Sequence, residues 1–217
     1  MFQAIAAEHA ERIGVGGAAM ARRGAFWLTL HSRVDFFQWP ALAQEVTAAT
    51  WPEHCEGRSL RCFRSYSLRQ GDQLLALGRT QWAVLGEKGR LIPFAQSGFP
   101  EDFPFAQREG ITEAPARFRD DLLPEELVQR HTVRSTDIDM GRHMNNVAYV
   151  RLLLDCFPAS VLAGGEIDSM EVHYAAPCLE GEELSVFCRR EGSICRMAVR
   201  KPDGKTAVLA AVRFHEK

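Results

Sequence analysis

The sequence holds no run of about 18 consecutive apolar residues, the length needed to cross a bilayer as a helix, so no membrane span is expected. Its net charge is small. The 26 Lys and Arg nearly balance 28 Asp and Glu, for −2 overall, which gives no drive toward nucleic acid or anionic membrane. The opening Met1 to Ala10 contains Glu8 and lacks the basic-then-apolar pattern of a secretory signal, so a cytoplasmic protein is expected. The six cysteines (Cys55, Cys62, Cys156, Cys178, Cys188 and Cys195) form no Cys-x-x-Cys pair, and no histidine stands at zinc spacing from them. No metal and no cofactor are expected. Cys188 and Cys195 flank a turn at Glu191-Gly192-Ser193 and could face each other, but in a cytosolic chain they are read as reduced apolar residues. What remains is 217 residues, 46% hydrophobic and 25% charged, which suits a globular protein of one large or two small domains.

Residues 137–149 carry the strongest local signal: Asp137-Ile-Asp139-Met-Gly141-Arg-His143-Met-Asn145-Asn146-Val-Ala-Tyr149. A strand-like run, His131 to Arg134, leads into a loop with two carboxylates, one imidazole and two amides. The loop opens into Val147, Val150, Leu152, Leu153, Leu154, Cys156 and Phe157, an apolar helix candidate. Asn145 or Asn146 can cap that helix by accepting its first N–H groups. A helix start also stabilises a developing oxyanion.

The element order repeats. The second half reads strand, helix (about 145–162, interrupted near Pro158), then strands at 166–176, 182–190, 194–201 and 205–215. The first half reads helix (2–22, loosened at Gly14, Gly16 and Gly17), then strands at 26–37, 44–51, 59–69 and 73–85. Pro40-Ala-Leu echoes Pro177-Cys-Leu, and the repeating order points to internal duplication. The first half shows no strand before its helix. Between the copies, 93–126 is rich in proline, which disfavours helix or sheet interior, and in Phe99, Phe103 and Phe105, which disfavour a free tether. The expected organisation is 1–92, a linker over 93–126 running as an ordered wrap, and 127–217.

The pattern Asp139-x-x-x-His143-x-Asn145-Asn146-x-x-Tyr149 resembles the hotdog-fold thioesterases, and among them the acyl-ACP thioesterase family. Trp27-Leu-Thr-Leu, Thr50-Trp51, Arg61-Cys-Phe-Arg-Ser-Tyr and Ala76-Leu-Gly-Arg-Thr-Gln-Trp82 are similar to that family's N-terminal half. The resemblance implies an α+β fold of two tandem hotdog units, each a long central helix wrapped by an antiparallel sheet, packed as a pseudo-dimer. The active site is then in the C-terminal unit. It implies a thioesterase releasing a fatty or polyketide acid from acyl carrier protein, as a monomer or homodimer.

Carried over residue by residue, the resemblance makes Asp139 the active-site carboxylate and His143 the catalytic histidine, with Asn145 beside them. Gly141, Asn146 and Cys178 fall around the substrate and its oxyanion, the Cys178 thiol being read as buried and inert. Two positions depart: Gly141 stands where the family usually has Asn, and Pro177 where it usually has Glu. Both departures favour the simpler acyl-CoA hotdog thioesterases as an alternative, and a non-hydrolytic acyl-binding or scaffold protein is a third reading. A carboxylate on this loop is expected to pack against the apolar helix, with Asp137 structural. Trp27, Phe36, Trp51 and Trp82 are candidates for an acyl slot, and Arg22, Arg23, Arg58, Arg61, Arg64 and Arg69 for a basic face.

Overall fold

The computed structural model describes residues 1–216, which divide into two compact units, Met1–Ala114 and Pro115 onward. The first unit opens with two helices, α1 (Phe2–Arg12) and α2 (Gly17–Arg22). Gly14, at φ +76°, lies in the break between them, where the sequence loosens the helix. Then come β1 (Phe26–Phe36), β2 (Thr47–Pro52), β3 (Cys62–Gln70), β4 (Gln73–Leu85) and the short β5 (Leu91–Ile92). They form an antiparallel sheet in the order β2-β3-β4-β1, with β5 added on β4.

Helix α1 seats on this sheet through Ala6, which is buried, and through Phe2, stacked on Tyr66 of β3 at 4.9 Å. The approach is close enough to need a glycine. A Cβ on Gly78 of β4 would lie 2.7 Å from the Phe2 ring. Arg64 corrects one expectation. It is not part of a basic face but 9% exposed, its Nη1 3.2 Å from His9 Nδ1 and donating to Thr50 Oγ1. The alternation of β3 turns it to the same face as Tyr66, toward α1.

The second unit contains β6 (Leu127–Thr132), α3 (Asn146–Leu154), α4 (Ala159–Ala163), β7 (Ile167–Tyr174), β8 (Glu183–Glu191), β9 (Ile194–Arg200) and β10 (Thr206–Phe214). Its antiparallel sheet runs β7-β10-β9-β8-β6. Matched by order, β7-β10-β9-β8 repeats β1-β4-β3-β2, and β6 has no counterpart in the first unit among the described residues. The helix is shorter than the apolar run suggested. Pro158 cannot donate an N–H, so α3 stops at Leu154 and α4 restarts behind the proline. Tyr149, Leu152 and Leu153 of α3 are buried, with the Tyr149 ring against Tyr174 at 6.2 Å. Phe157, just past α3, meets Phe214 of β10 edge-on at 5.2 Å. The inward residues of β8, β9 and β10, among them Leu184, Val186, Met197, Val199, Val208 and Val212, are at most 1% exposed. Burial on this scale, about 25 cal/mol per Å² of apolar surface, holds the helix to the sheet.

The proline-rich stretch is ordered on both units. Phe99, Phe103 and Phe105 form a cluster with ring centroids 5.1–5.9 Å apart, and Phe105 reaches His54 at 5.4 Å. Beyond Pro115, Phe118 and Leu122 enter an apolar cluster with Phe187, Ala198 and Leu209.

Candidate active site

The candidate site is the loop between β6 and α3. Its near end is pinned by Val133, which is buried. The Val133 N–H donates to Glu182 O at 2.9 Å, and its carbonyl accepts from Gly181 N–H at 3.0 Å. A single turn of 3₁₀ helix follows over Ser135–Asp137. Asp137 Oδ2 accepts from Arg134 N–H and from His131 Nε2, both at 2.8 Å. Burial pushes the Asp137 carboxyl up, but the Arg134 N–H and the His131 hydrogen bond outweigh it, and the group is held below the usual carboxylate range. The carbonyl of Asp137 accepts from Asn145 N–H at 2.8 Å. Asp137 therefore ties strand, turn and helix start together.

Inside that frame the chain reverses. Ile138 and Met144 form an antiparallel bridge, Asp139 N–H donates to His143 O at 3.0 Å, and Arg142 N–H donates to Asp139 O at 3.0 Å. Arg142 takes φ +61°, a conformation that disfavours most side chains, at the last residue of this three-residue reversal. The Gly141 N–H donates to Asp139 Oδ1 at 2.8 Å. The reversal brings the two expected chemical groups together. A Cβ on Gly141 would lie 3.0 Å from Asp139 Oδ1 and 3.9 Å from His143 Nδ1. Both side chains thus border the space beside the one residue of the turn that has no side chain.

The expected packing of Asp139 against the apolar helix is not seen. Asp139, Gly141 and His143 are exposed, because the reversal carries them past the bridge while Met144 turns inward and is buried. Asn145 and Asn146 are half-buried. Asn145 is the helix cap: its Oδ1 accepts from Val147 N–H at 2.8 Å, and α3 starts at Asn146.

Cys178 stands behind the loop rather than beside the turn. Its carbonyl accepts from Met144 N–H at 2.9 Å, and its N–H donates to Tyr149 Oη at 3.1 Å. The residue is 0% exposed, and burial pushes its thiol up, as it does the Tyr149 hydroxyl. Lys201 Nζ donates to the neighbouring Pro177 carbonyl at 2.6 Å and pairs with Glu182 at 3.1 Å. Asp139, Gly141, His143 and Asn145 were expected on one loop; the turn brings the first three side by side, while Asn145 caps α3. Sequence reasoning did not find His131 as the partner of Asp137, nor Tyr149 Oη as the acceptor for Cys178. The one sequence signal for the first pair was a polar residue near the strand end, six positions before an acid.

Residues 122–216 match the family model described as acyl-ACP thioesterase C-terminal domain. The chain is 22% identical over 195 residues to an oleoyl-acyl carrier protein thioesterase from Coriandrum sativum, covering 82% of this chain and 52% of that protein. It is 22% identical to a dodecanoyl-[acyl-carrier-protein] hydrolase from Cinnamomum camphora, covering 100% of this chain and 61% of the relative. The chain thus spans about half the length of the first of these relatives. The fold is similar to that of an acyl-ACP thioesterase from Bacteroides thetaiotaomicron, with a TM-score of 0.86, 22% identity, and 99% and 86% of the two chains covered. It is also similar to a 12:0-ACP thioesterase from Umbellularia californica, with a TM-score of 0.80, 17% identity, and 100% and 87% covered. The α+β fold is therefore that of the tandem hotdog proteins. The chain resembles the acyl-ACP thioesterases along most of its length, and its residues 122–216 match that family's C-terminal domain.

Proposed function

We propose that this protein hydrolyses the thioester of a fatty or polyketide acyl carrier protein, releasing the free acid and the carrier thiol. The observation that carries the proposal is the approach of Asp139 Oδ1 and His143 Nδ1 to the bare side of Gly141, shortly ahead of the Asn145-capped helix start. Support comes from the matched C-terminal domain and from relatives whose names state activity on acyl carrier proteins.

Asp139 accepts the proton of a water whose oxygen attacks the thioester carbonyl carbon. Oδ1 accepts from Gly141 N–H, which fixes the carboxylate on the turn and leaves Oδ2 to accept the proton. The tetrahedral oxyanion sits at the start of α3, where Asn146 N–H, the Asn145 side-chain amide and the helix dipole favour negative charge. The C–S bond then breaks, the departing thiolate takes a proton from His143, and His143 regains the proton that Asp139 took from water, which returns both groups to their starting state. Gly141 contributes space for the acyl carbonyl. Cys178, with both backbone groups engaged, holds the loop in position and does not contact the oxyanion.

Matched acyl-ACP and acyl-CoA panels, followed by mass spectrometry of the released acid, test this. Wild type is expected to turn over acyl-ACP, with Asp139→Ala and His143→Ala each slower by on the order of 10²–10⁴. Comparable rates on acyl-CoA would move the assignment to the CoA reading, which Gly141 and Pro177 favour. Equal background rates for all three proteins would leave only acyl binding without hydrolysis.

A further inference from the structure

We propose that the second unit carries a separate binding site for a small phosphate-bearing dianion, in a cavity of about 480 Å³ between residues 116–122 and the face of the sheet that α3 does not cover. This site does not depend on the hydrolytic reading.

Residues 116–122 run as a strap over β7, β10 and β9, and three attachments hold it. Ala116 N–H donates to Glu171 Oε1 at 2.8 Å. Asp120 accepts from Arg200 Nε at 2.9 Å and from the Thr206 hydroxyl, while Arg200 Nη2 donates to Leu122 O at 2.7 Å. Phe118 and Leu122 anchor the strap in the apolar cluster with Phe187 and Leu209. The Asp120–Arg200 pair joins residues 80 apart in sequence, so the strap belongs to the fold of this unit.

Four arginines border the cavity: Arg117 and Arg119 from the strap, Arg196 from β9 and Arg213 from β10. Arg196 has acidic neighbours only at 3.5 Å (Glu191) and 4.0 Å (Asp121). Arg117, Arg119 and Arg213 have no carboxylate within ion-pair distance among the described residues. Two acids, Asp121 and Glu171, also line the cavity, so its four arginines leave an excess of two positive charges there, and Asp121 is shared with Arg189 at 3.0 Å.

Each guanidinium is exposed, and one exposed ion pair contributes little. A ligand held here must therefore engage several at once, which requires at least two negative charges and oxygens pointing several ways. A phosphoryl or diphosphate group meets both needs and matches the guanidinium fork. A monocarboxylate does not. Phe118, Ile194 and Leu209 give the cavity an apolar wall on which an organic portion can rest. The same chemistry could come from free diphosphate or from a nucleotide bearing two phosphates.

Calorimetric titration at low ionic strength separates these sources, with inorganic pyrophosphate in one arm and adenosine 3′,5′-bisphosphate in the other. Wild type is expected to bind with one-site stoichiometry. R117S/R213S should bind about tenfold more weakly or worse, and R58S, at an exposed arginine of the first unit, should match wild type. A bisphosphate preference above about tenfold assigns the nucleotide source, and parity assigns the phosphate group alone. Asp120→Ala gives the sharpest arm. Removing a negative charge would strengthen any unspecific attraction of anions, whereas freeing the strap should weaken a built site. Melting curves establish that each variant is folded. Equal affinity of wild type and R117S/R213S, tighter binding by Asp120→Ala, or no binding at millimolar ligand would overturn the proposal.

Discussion

The N–H of Cys178 donates to Tyr149 Oη across 3.1 Å, in a place where neither residue is more than 3% exposed. This bond ties the first turn of α3 to the segment that also takes the Met144 N–H. Tyr149→Phe keeps the ring and deletes the acceptor, leaving a buried N–H unpaired. The expected cost is about 1–3 kcal/mol, read from urea unfolding. Turnover should fall as well, because Met144 adjoins His143 and shares the same anchor.

The space beside Gly141 sets the second prediction. An alanine methyl there would lie 3.0 Å from Asp139 Oδ1, so the carboxylate must give way by a few tenths of an ångström. Gly141→Ala is expected to lower kcat several-fold while leaving the melting temperature nearly unchanged, since the turn is exposed. A fall in stability with intact kcat would mean that the glycine serves the turn and not the carboxylate.

Acid should loosen the second unit at two identifiable points. The Arg200 hydrogen bond above all, with Thr206, holds the Asp120 carboxyl below the usual range against the effect of burial, and Asp137 is lowered as described. A lowered folded-state value means stabilisation that is complete above the unfolded carboxylate value, about 4, and is lost as pH falls through the folded one. Asp120→Asn should therefore melt lower than wild type at pH 7, and the gap should close below about pH 4. Differential scanning calorimetry across this range checks both the sign and the window.

In the first unit, Gly78→Ala would place a methyl 2.7 Å from the Phe2 ring. Helix α1 must lift or Phe2 must leave Tyr66. A loss of about 1–3 kcal/mol is expected from such overpacking, measurable by chemical denaturation. Phe2→Ala in the same background should relieve the clash, so the two substitutions should be non-additive.

Much of the fold was legible because its signals are local. Strand β4 was expected at 73–85 and runs Gln73–Leu85, since Gly71-Asp72 and Gly86 mark its two ends. The helix break at Pro158 follows from a missing N–H, and the Asn145 cap from its position before an apolar run. The illegible features depend on distant partners. Nothing local to Arg64 announces that it turns inward to His9, 55 residues away, nor that Asp120 will meet Arg200. At the site, the residue types and their spacing were legible. The exposure of Asp139 depends on Arg142 adopting a left-handed backbone, and no residue type at that position signals it.

The proposed hydrolysis stands on Asp139 acting as the base that activates water beside His143. Thiol release from a matched acyl carrier protein, followed continuously at saturating substrate, tests it with Asp139→Asn, which keeps shape and removes basicity. Base catalysis by Asp139 predicts a fall in kcat of on the order of 10²-fold or more, with the melting temperature within a few degrees of wild type. An Asp139→Asn protein that is folded and turns over at the wild-type rate would contradict it.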